Sequence, residues 1–192
     1  MACTALTRGR VLDCNRISGG INAVYFAVLD QITSITMTAG VTVNEITDIQ
    51  MGSNDLYKYT LPIGTSSLTE TIVGSRENGT VYYQPTINIV YNRLSKEDQM
   101  EIKLLAATKT VVFAQLNQQL ANGHDVIVAL GVTNGMELNA GTIDSGQAWG
   151  DRNGYSLTLD GMEKEPFPMM EDYGTDPFDT GITFGTIVST GL

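Results

Sequence analysis

Positive charge is scarce in this sequence. The chain has 11 Lys and Arg residues against 21 Asp and Glu residues, which gives a net charge of −10. Proteins that grip nucleic acid need clustered cations, because their affinity for phosphates comes from the counterions that the cations displace. The composition therefore argues against a DNA-gripping surface. A surface along which DNA slides without sticking stays open, since negative charge repels a polyanion.

Long hydrophobic runs are also missing. No stretch of about 20 consecutive apolar residues occurs, so we expect no membrane span. Arg8 and Arg10 have no apolar run behind them, so residues 1–16 do not have the pattern of a secretory signal, and we expect the protein to fold where it is made. Cys3 and Cys14 lack the further ligands of a zinc site and are predicted to be free thiols.

Residues and motifs suited to catalysis are also scarce. His124 is the only histidine, and its place after Asn122-Gly123 predicts an ordinary exposed turn residue. No Gly-x-Ser-x-Gly elbow accompanies it, and neither phosphate-binding glycine motif is present. We therefore predict no catalytic residue and no cofactor, and classify the protein as a non-enzyme.

One segment has the opening of a calcium-binding loop. Asp151-Arg152-Asn153-Gly154 offers oxygen ligands, but Met162 stands where such a loop needs its closing glutamate, and Glu163 comes one place late. A hairpin turn explains the segment better. We therefore predict no metal site.

Strand patterns dominate what is present. The segments 81–91 and 155–159 alternate apolar and polar residues, as strands with one wet face do, while 21–29 and 126–130 are apolar throughout, as central strands are. Four Asn-Gly pairs predict two-residue hairpin turns of type I′ between strands. The 192 residues, 42% of them hydrophobic, suffice for one packed core. We predict a mainly β fold, an antiparallel β-sandwich or rolled barrel.

One helix is predicted, over residues 96–108, with Ser95 as its N-cap. Apolar residues fall on opposite sides of it, with Met100 and Leu104 on one side and Ile102 and Leu105 on the other. Two apolar faces need two partners. We expect one face on the subunit's own sheet and one on a neighbouring chain, and assign Ile102 and Leu105 to a subunit interface. The alternative is a helix sunk deeper into one domain.

The last residues change character, so we divide the chain into a β domain, 1–162, and an acidic C-terminal arm, 163–192. The arm holds three of the five prolines and six acids. It also carries too many large apolar groups for a solvated tail. We expect an extended arm that docks onto something else, with packing back onto its own domain as the alternative. The arm residues assigned to a subunit interface are Phe167, Met169, Met170 and Phe178.

The order of these elements resembles tail-tube structural proteins of bacteriophages. The resemblance lies in the helix that opens at Leu94-Ser95-Lys96-Glu97-Asp98, in the following strand at 110–116, and in Asn134-Gly135-Met136-Glu137-Leu138. The segment 145–159, SGQAWGDRNGYSLTL, is similar to one found in such virion proteins of phages that infect Bacteroidetes. Residues 14–25 also fit the N-termini of that group.

This resemblance implies a function without catalysis. Such proteins form hexameric rings that stack into a tail tube or make a ring of the tail hub or connector, and the genome passes through them during ejection. The implied partners are further copies of the chain and other tail or connector proteins, with genome DNA passing unbound. The implied place is the virion tail, after synthesis in the host cytoplasm. Polar strand residues such as Gln84, Thr86 and Asn88 are candidates for a lumen lining or for a plain solvent face.

A second hypothesis belongs to a different class. A carbohydrate-binding, adhesin-like β-sandwich would use Trp149 and the eight tyrosines as stacking surfaces for sugars. Its discriminating residue is Trp149.

Overall fold

The computed structural model describes residues 9–10, 17–38 and 44–189. These residues form thirteen β-strands and one α-helix, with a single 3₁₀ turn at Leu29–Gln31. In chain order the elements are β1 Ile21–Val28, β2 Ser34–Met37, β3 Glu45–Gln50, β4 Leu56–Thr60, β5 Ser67–Ser75, β6 Thr80–Asn92, α1 Lys96–Leu105, β7 Thr110–Gln119, β8 Asp125–Leu130, β9 Glu137–Asp144, β10 Gly154–Asp160, β11 Met169–Met170, β12 Ile182–Thr183 and β13 Ile187–Val188.

The strands form two sheets that pack as a sandwich. Sheet A has the order β12-β3-β11-β8-β7-β1-β4-β13, with β2 paired to β3, and sheet B has the order β5-β6-β10-β9. The prediction of a mainly β sandwich with one helix is confirmed. Sheet B is antiparallel as expected, but sheet A is mixed, because β11 and β12 run parallel to β3 and β13 runs parallel to β4.

One core lies between the two sheets. Sheet B contributes the inward residues of its two middle strands, among them Ile87, Ile89 and Leu159, which are almost fully buried. They belong to the alternating segments of the sequence, so that pattern predicted the buried face of β6 and β10 correctly. Sheet A contributes every second residue of β1, β7 and β8.

A second core covers the opposite face of sheet A. Tyr25, Phe113 and Ile127 point into it, while their chain neighbours point into the first core. Both faces of β1, β7 and β8 are therefore buried, as the unbroken apolar runs predicted for β1 and β8. Residues of the C-terminal arm, including Phe178 and Phe184, close this second core from outside.

The helix is shorter than predicted and ends at Leu105. Ser95 caps it as expected, its hydroxyl accepting a hydrogen bond from the Asp98 N–H at 3.0 Å. Ile102 and Leu105 pack on the core between the sheets, while Met100 and Leu104 are half-exposed. The more exposed side of α1 is therefore the one with Met100 and Leu104. The side with Ile102 and Leu105, which we predict at a subunit interface, faces the subunit's own core. Among the described residues, no helix has the length and apolarity needed to cross a membrane.

The arm is extended, and it packs back onto its own domain. Strand β11 lies between β3 and β8, where the Met169 N–H donates to the Asn44 carbonyl and the Ala129 N–H donates to the Pro168 carbonyl. Further along, β12 and β13 pair with β3 and β4. The sequence left open whether the arm docks onto something else or packs onto its own domain. Within the described chain, it packs onto its own domain.

The Asn-Gly turns differ from the type predicted. Asn78-Gly79 and Asn122-Gly123 do connect paired strands, β5 to β6 and β7 to β8. Only the glycines have positive φ, 62° and 89°, and neither asparagine does. A type I′ turn requires positive φ at both positions, so these hairpins close through longer turns. Asn134-Gly135 instead leads from sheet A to sheet B.

Candidate functional site

The outer edges of sheet B are the candidate site. Strands β5 and β9 are the first and last strands of this sheet, and they are nine and eight residues long. Within the described part of the chain, no backbone hydrogen bond reaches the outer side of either strand. Each edge therefore presents a row of free N–H and C=O groups, which is a template for pairing with another strand.

These edges lack the usual protection against such pairing. Monomeric proteins guard edge strands with lysine, proline or short length, and neither β5 nor β9 contains Lys or Pro. The three acids present have partners within the subunit: Glu70 accepts a hydrogen bond from the Phe167 N–H at 2.9 Å, and Glu137 lies 3.1 Å from the Lys109 Nζ. Asp144 pairs with Arg152. Partial burial raises the pKa of Glu70. Charge therefore does little to keep a second strand away.

Each edge strand carries one exposed isoleucine. Ile72 in β5 is 67% exposed and Ile143 in β9 is 53% exposed. Ile72 is opposite Tyr83, and Ile143 is opposite Tyr155. Tyr155 is in turn opposite Tyr91. Tyr91 and Tyr83 are an even number of residues apart on β6, so their side chains point to the same face of the sheet. Ile72 and Ile143 therefore share that face. A neighbouring strand on either edge would cover apolar surface as well as backbone.

The face of sheet B that points away from sheet A is polar, and the charged residues on it are acids. Successive rows across the sheet read Ser67, Asn88, Thr158, Ala140 and then Thr69, Thr86, Asp160, Glu137. The four strands contain no Lys or Arg. The three residues proposed for a lumen lining, Gln84, Thr86 and Asn88, all lie on this face and are partly buried.

The six residues predicted for a subunit interface are mostly used inside the subunit. Phe178 is only 3% exposed in the second core, and Met170 packs against that core. Phe167, like Ile102 and Leu105, packs on the core between the sheets. Met169, 46% exposed, is the member with the most free surface. An interface role for the six residues stays a prediction. The sequence analysis missed the exposed isoleucines of β5 and β9, because single residues on edge strands leave no pattern in the sequence.

His124 is not the ordinary exposed turn residue that we predicted. Its Nδ1 lies 2.8 Å from Oδ1 of Asp172, and its ring stacks on Tyr173 at 4.5 Å between centroids. Asn122 also donates to Asp172, and the Asp125 N–H donates to the Tyr173 hydroxyl at 3.0 Å. The hydrogen bond from His124 lowers the pKa of Asp172. This arrangement is a clasp that fastens the arm to the β7–β8 hairpin.

The Asp151 carboxylate is hydrogen-bonded to the backbone of its own loop. It accepts hydrogen bonds from the backbone N–H groups of Gln147 and Ala148, at 2.9 and 2.7 Å, and these bonds lower its pKa. The β9–β10 loop that it closes carries Trp149, which is fully exposed. Across the described residues no group of three His, Cys, Asp or Glu side chains is placed to hold a metal ion. Cys3 and Cys14 lie outside the described residues.

Comparison with known proteins adds no assignment. No family model, curated protein or solved structure matches the chain. Similarity therefore does not identify a function, and the open edges of sheet B are the feature from which one can be inferred.

Proposed function

We propose that this protein is a non-enzymatic virion structural protein that assembles into a ring of a bacteriophage tail tube, hub or connector. The observation that carries the proposal is the pair of long, unguarded edges on sheet B. Pairing β5 of one copy with β9 of the next is a head-to-tail contact, and such contacts close into rings when the rotation fits. Both edges of sheet B then become interior strands, which removes the pairing hazard there.

The dimensions of such a ring suit a channel. Six copies, the number implied by the family resemblance, would join six four-stranded sheets into a barrel of about 24 strands. At about 4.8 Å between strands, its circumference is about 115 Å and its diameter about 37 Å. Barrels of this many strands leave an open lumen. A DNA duplex can pass through a channel of that width.

The chemistry of the open face supports passage without binding. A face of Ser, Thr and Asn residues with a few acids and without Lys or Arg offers no cations to displace counterions from phosphates. The acids that follow β11 are on the arm, whose apolar side chains cover the far face of sheet A. Part of the net charge of −10 therefore lies on the arm and not at the proposed lumen.

The edges can be tested by placing a lysine on each. We expect Ile72→Lys and Ile143→Lys each to reduce self-assembly in sedimentation velocity at least about tenfold, because a buried unpaired charge would have to enter the new strand pair. Both side chains are exposed, so the fold should change by less than about 0.5 kcal/mol in stability. Ile63→Lys is the matched control, since Ile63 is 93% exposed in a loop outside sheet B.

Two results would count against edge pairing. One is assembly by both edge variants at the level of the wild type. The other is equal loss in the Ile63→Lys control, which would point to a general effect of added positive charge.

The carbohydrate-binding alternative is favoured by one observation, the full exposure of Trp149. A sugar platform usually combines several aromatic faces, and none of the aromatic pairs found among the described residues includes Trp149. A glycan array separates the two functions. Saturable binding that Trp149→Ala abolishes would support the adhesin, and an array without signal would remove it.

A further inference from the structure

A cavity of about 240 Å³ lies beside α1 and is bordered by residues of β1, β4 and β6. It is lined mainly by apolar and aromatic side chains, among them Phe26, Tyr59, Tyr91, Ile102, Leu104 and Leu105. An apolar cavity of about 150 Å³ holds one benzene ring. This cavity therefore has room for a fused pair of rings, but it is smaller than the pockets of about 300 Å³ or more that take drug-sized ligands.

The chain itself carries a group of that size with nothing to cover it. Trp149 is the single tryptophan, and its side chain is fully exposed at the tip of the β9–β10 loop. A tryptophan buries about 150–250 Å² when it packs, so leaving one in water forgoes a large apolar contribution. Tryptophan, with tyrosine and arginine, is enriched among the residues that contribute most of the binding energy in protein–protein contacts.

The cavity and the loop lie at the same end of the sandwich. The Arg93 N–H donates to the Asn153 carbonyl at 2.6 Å, which joins the end of the loop to the segment that leads into α1. The ring of Tyr91, in the cavity wall, packs against Tyr155 at 4.9 Å between centroids. Two copies related by a two-fold axis at this end would each face the other's cavity with its own loop.

We infer that the cavity receives the indole of Trp149 from a second copy of this chain, in a reciprocal pair in which each copy inserts one tryptophan and accepts one. The Glu101 carboxylate at the rim is an acceptor for the indole N–H. The contact uses the α1 end of the sandwich and not the edges of sheet B. It is therefore independent of the ring, and either contact can form without the other.

The area involved sets the expected strength. Two tryptophans contribute about 300–500 Å² and two cavities a similar area, which together fall below the roughly 1,200 Å² of a standard interface. The pair should accordingly be weak and concentration-dependent. Burial in the cavity also affects the tyrosines there: desolvation raises the pKa of Tyr59 to about 12, so its hydroxyl stays neutral and compatible with an apolar guest.

The single tryptophan makes the contact directly measurable. Wild-type protein is followed over a concentration series by sedimentation velocity and by tryptophan fluorescence with an iodide quencher. We expect emission to move to shorter wavelength, and quenching to fall, over the same concentrations at which the pair forms. Trp149→Ala should weaken pairing at least about tenfold.

A matched pair of helix variants tests the receiving side. Leu104 lines the cavity and Met100 does not, although both are half-exposed on α1. Leu104→Glu should weaken the pair at least about tenfold and abolish the emission shift, and Met100→Glu should leave both at wild-type level. Circular dichroism checks that both variants fold.

Three results would overturn the inference. One is pairing of two copies in which Trp149 stays open to the quencher. That result would leave the proposed ring intact. Another is an emission shift that does not depend on concentration, which would place the indole in its own chain's cavity. The third is an unchanged shift in Leu104→Glu.

Discussion

At the scale of single residues, Phe178 shows how firmly the arm is held. It is one of two described non-glycine residues with positive φ, at 69°, a conformation that costs free energy for a side chain with a Cβ. Its ring meets Tyr25 at 4.7 Å and Phe113 at 5.5 Å between centroids, edge to face in both cases. Burial between two aromatic rings outweighs the backbone strain.

Replacing this ring tests the anchor. We expect Phe178→Ala to lower the free energy of unfolding by about 3–5 kcal/mol, as loss of a buried phenylalanine does. Met169→Ala is the matched control, because Met169 is an apolar arm residue that is 46% exposed. Urea denaturation measures both. Equal, small losses in the two variants would mean that the arm contributes little to the second core.

The arm should be released by acid only at low pH. The N–H groups of Thr175, Asp176 and Gly174 donate to Asp179 and hold the pKa of that carboxyl well below its ordinary range. Because the folded pKa lies below the unfolded value of about 3.9, the contribution to stability is complete above about pH 4 and is lost as pH falls through the folded pKa. The hydrogen bond from His124 also lowers the pKa of Asp172, so the stability that Asp172 contributes is likewise lost as pH falls.

Hydrogen exchange of the arm amides, measured from pH 7 downward, checks this dependence after correction for intrinsic exchange rates. Protection at residues 174–180 should persist to below pH 4 in the wild type and should already be reduced at pH 7 in Asp179→Asn. Asp176→Asn serves as the control, since no side-chain hydrogen bond of Asp176 is found in the described residues. Protection lost near pH 5 in the wild type would contradict the assignment.

At the scale of elements, the sequence predicted the elements that carry a local signal and missed those that carry none. Strand β10 was predictable from its alternation, β1 and β8 from their unbroken apolar runs, and α1 from its N-cap Ser95. The arm strands have two residues each, too few to show a period. Their pairing is decided by partners far along the chain, such as Met169 opposite both Glu45 and Val128.

The candidate site was predictable in part for the same reason. Alternation in β6 identified Gln84, Thr86 and Asn88 as one polar face, and the structure places them on the open face of sheet B. Which strands end the sheet depends on pairing between β6, β10 and β9 over more than sixty positions, and no local pattern encodes it. The clasp of His124 with Asp172 was missed for the same reason, since 48 positions separate the two residues.

Strand β11 is the arm element whose removal should affect the fold most. Within the described residues, the β2–β3 hairpin joins the rest of sheet A through this two-residue strand. A chain that stops after Met162 should therefore lose that junction and uncover the second core.

We expect such a truncated chain to unfold at a much lower urea concentration and to bind a dye for exposed apolar surface, as states with loosened packing do. A chain that stops after Ser189 keeps every described strand and is the control. An unchanged unfolding midpoint in the shorter chain would show that the arm is a separable appendage, as the division at residue 162 first suggested.

At the scale of the whole molecule, the two sheets have different tasks. Sheet A is covered on both faces, by sheet B and by the arm, and so completes the fold within one chain. Sheet B has one covered face, one open polar face and two open edges. A domain that buries one sheet fully and leaves the other open at both edges is suited to joining copies of itself edge to edge.

The most direct test of this account is electron microscopy of the purified wild-type protein at high concentration, over a range of salt. The account predicts rings with an open centre, or tubes of stacked rings, and their loss in Ile72→Lys. A monodisperse monomer at every salt concentration and protein concentration would contradict it.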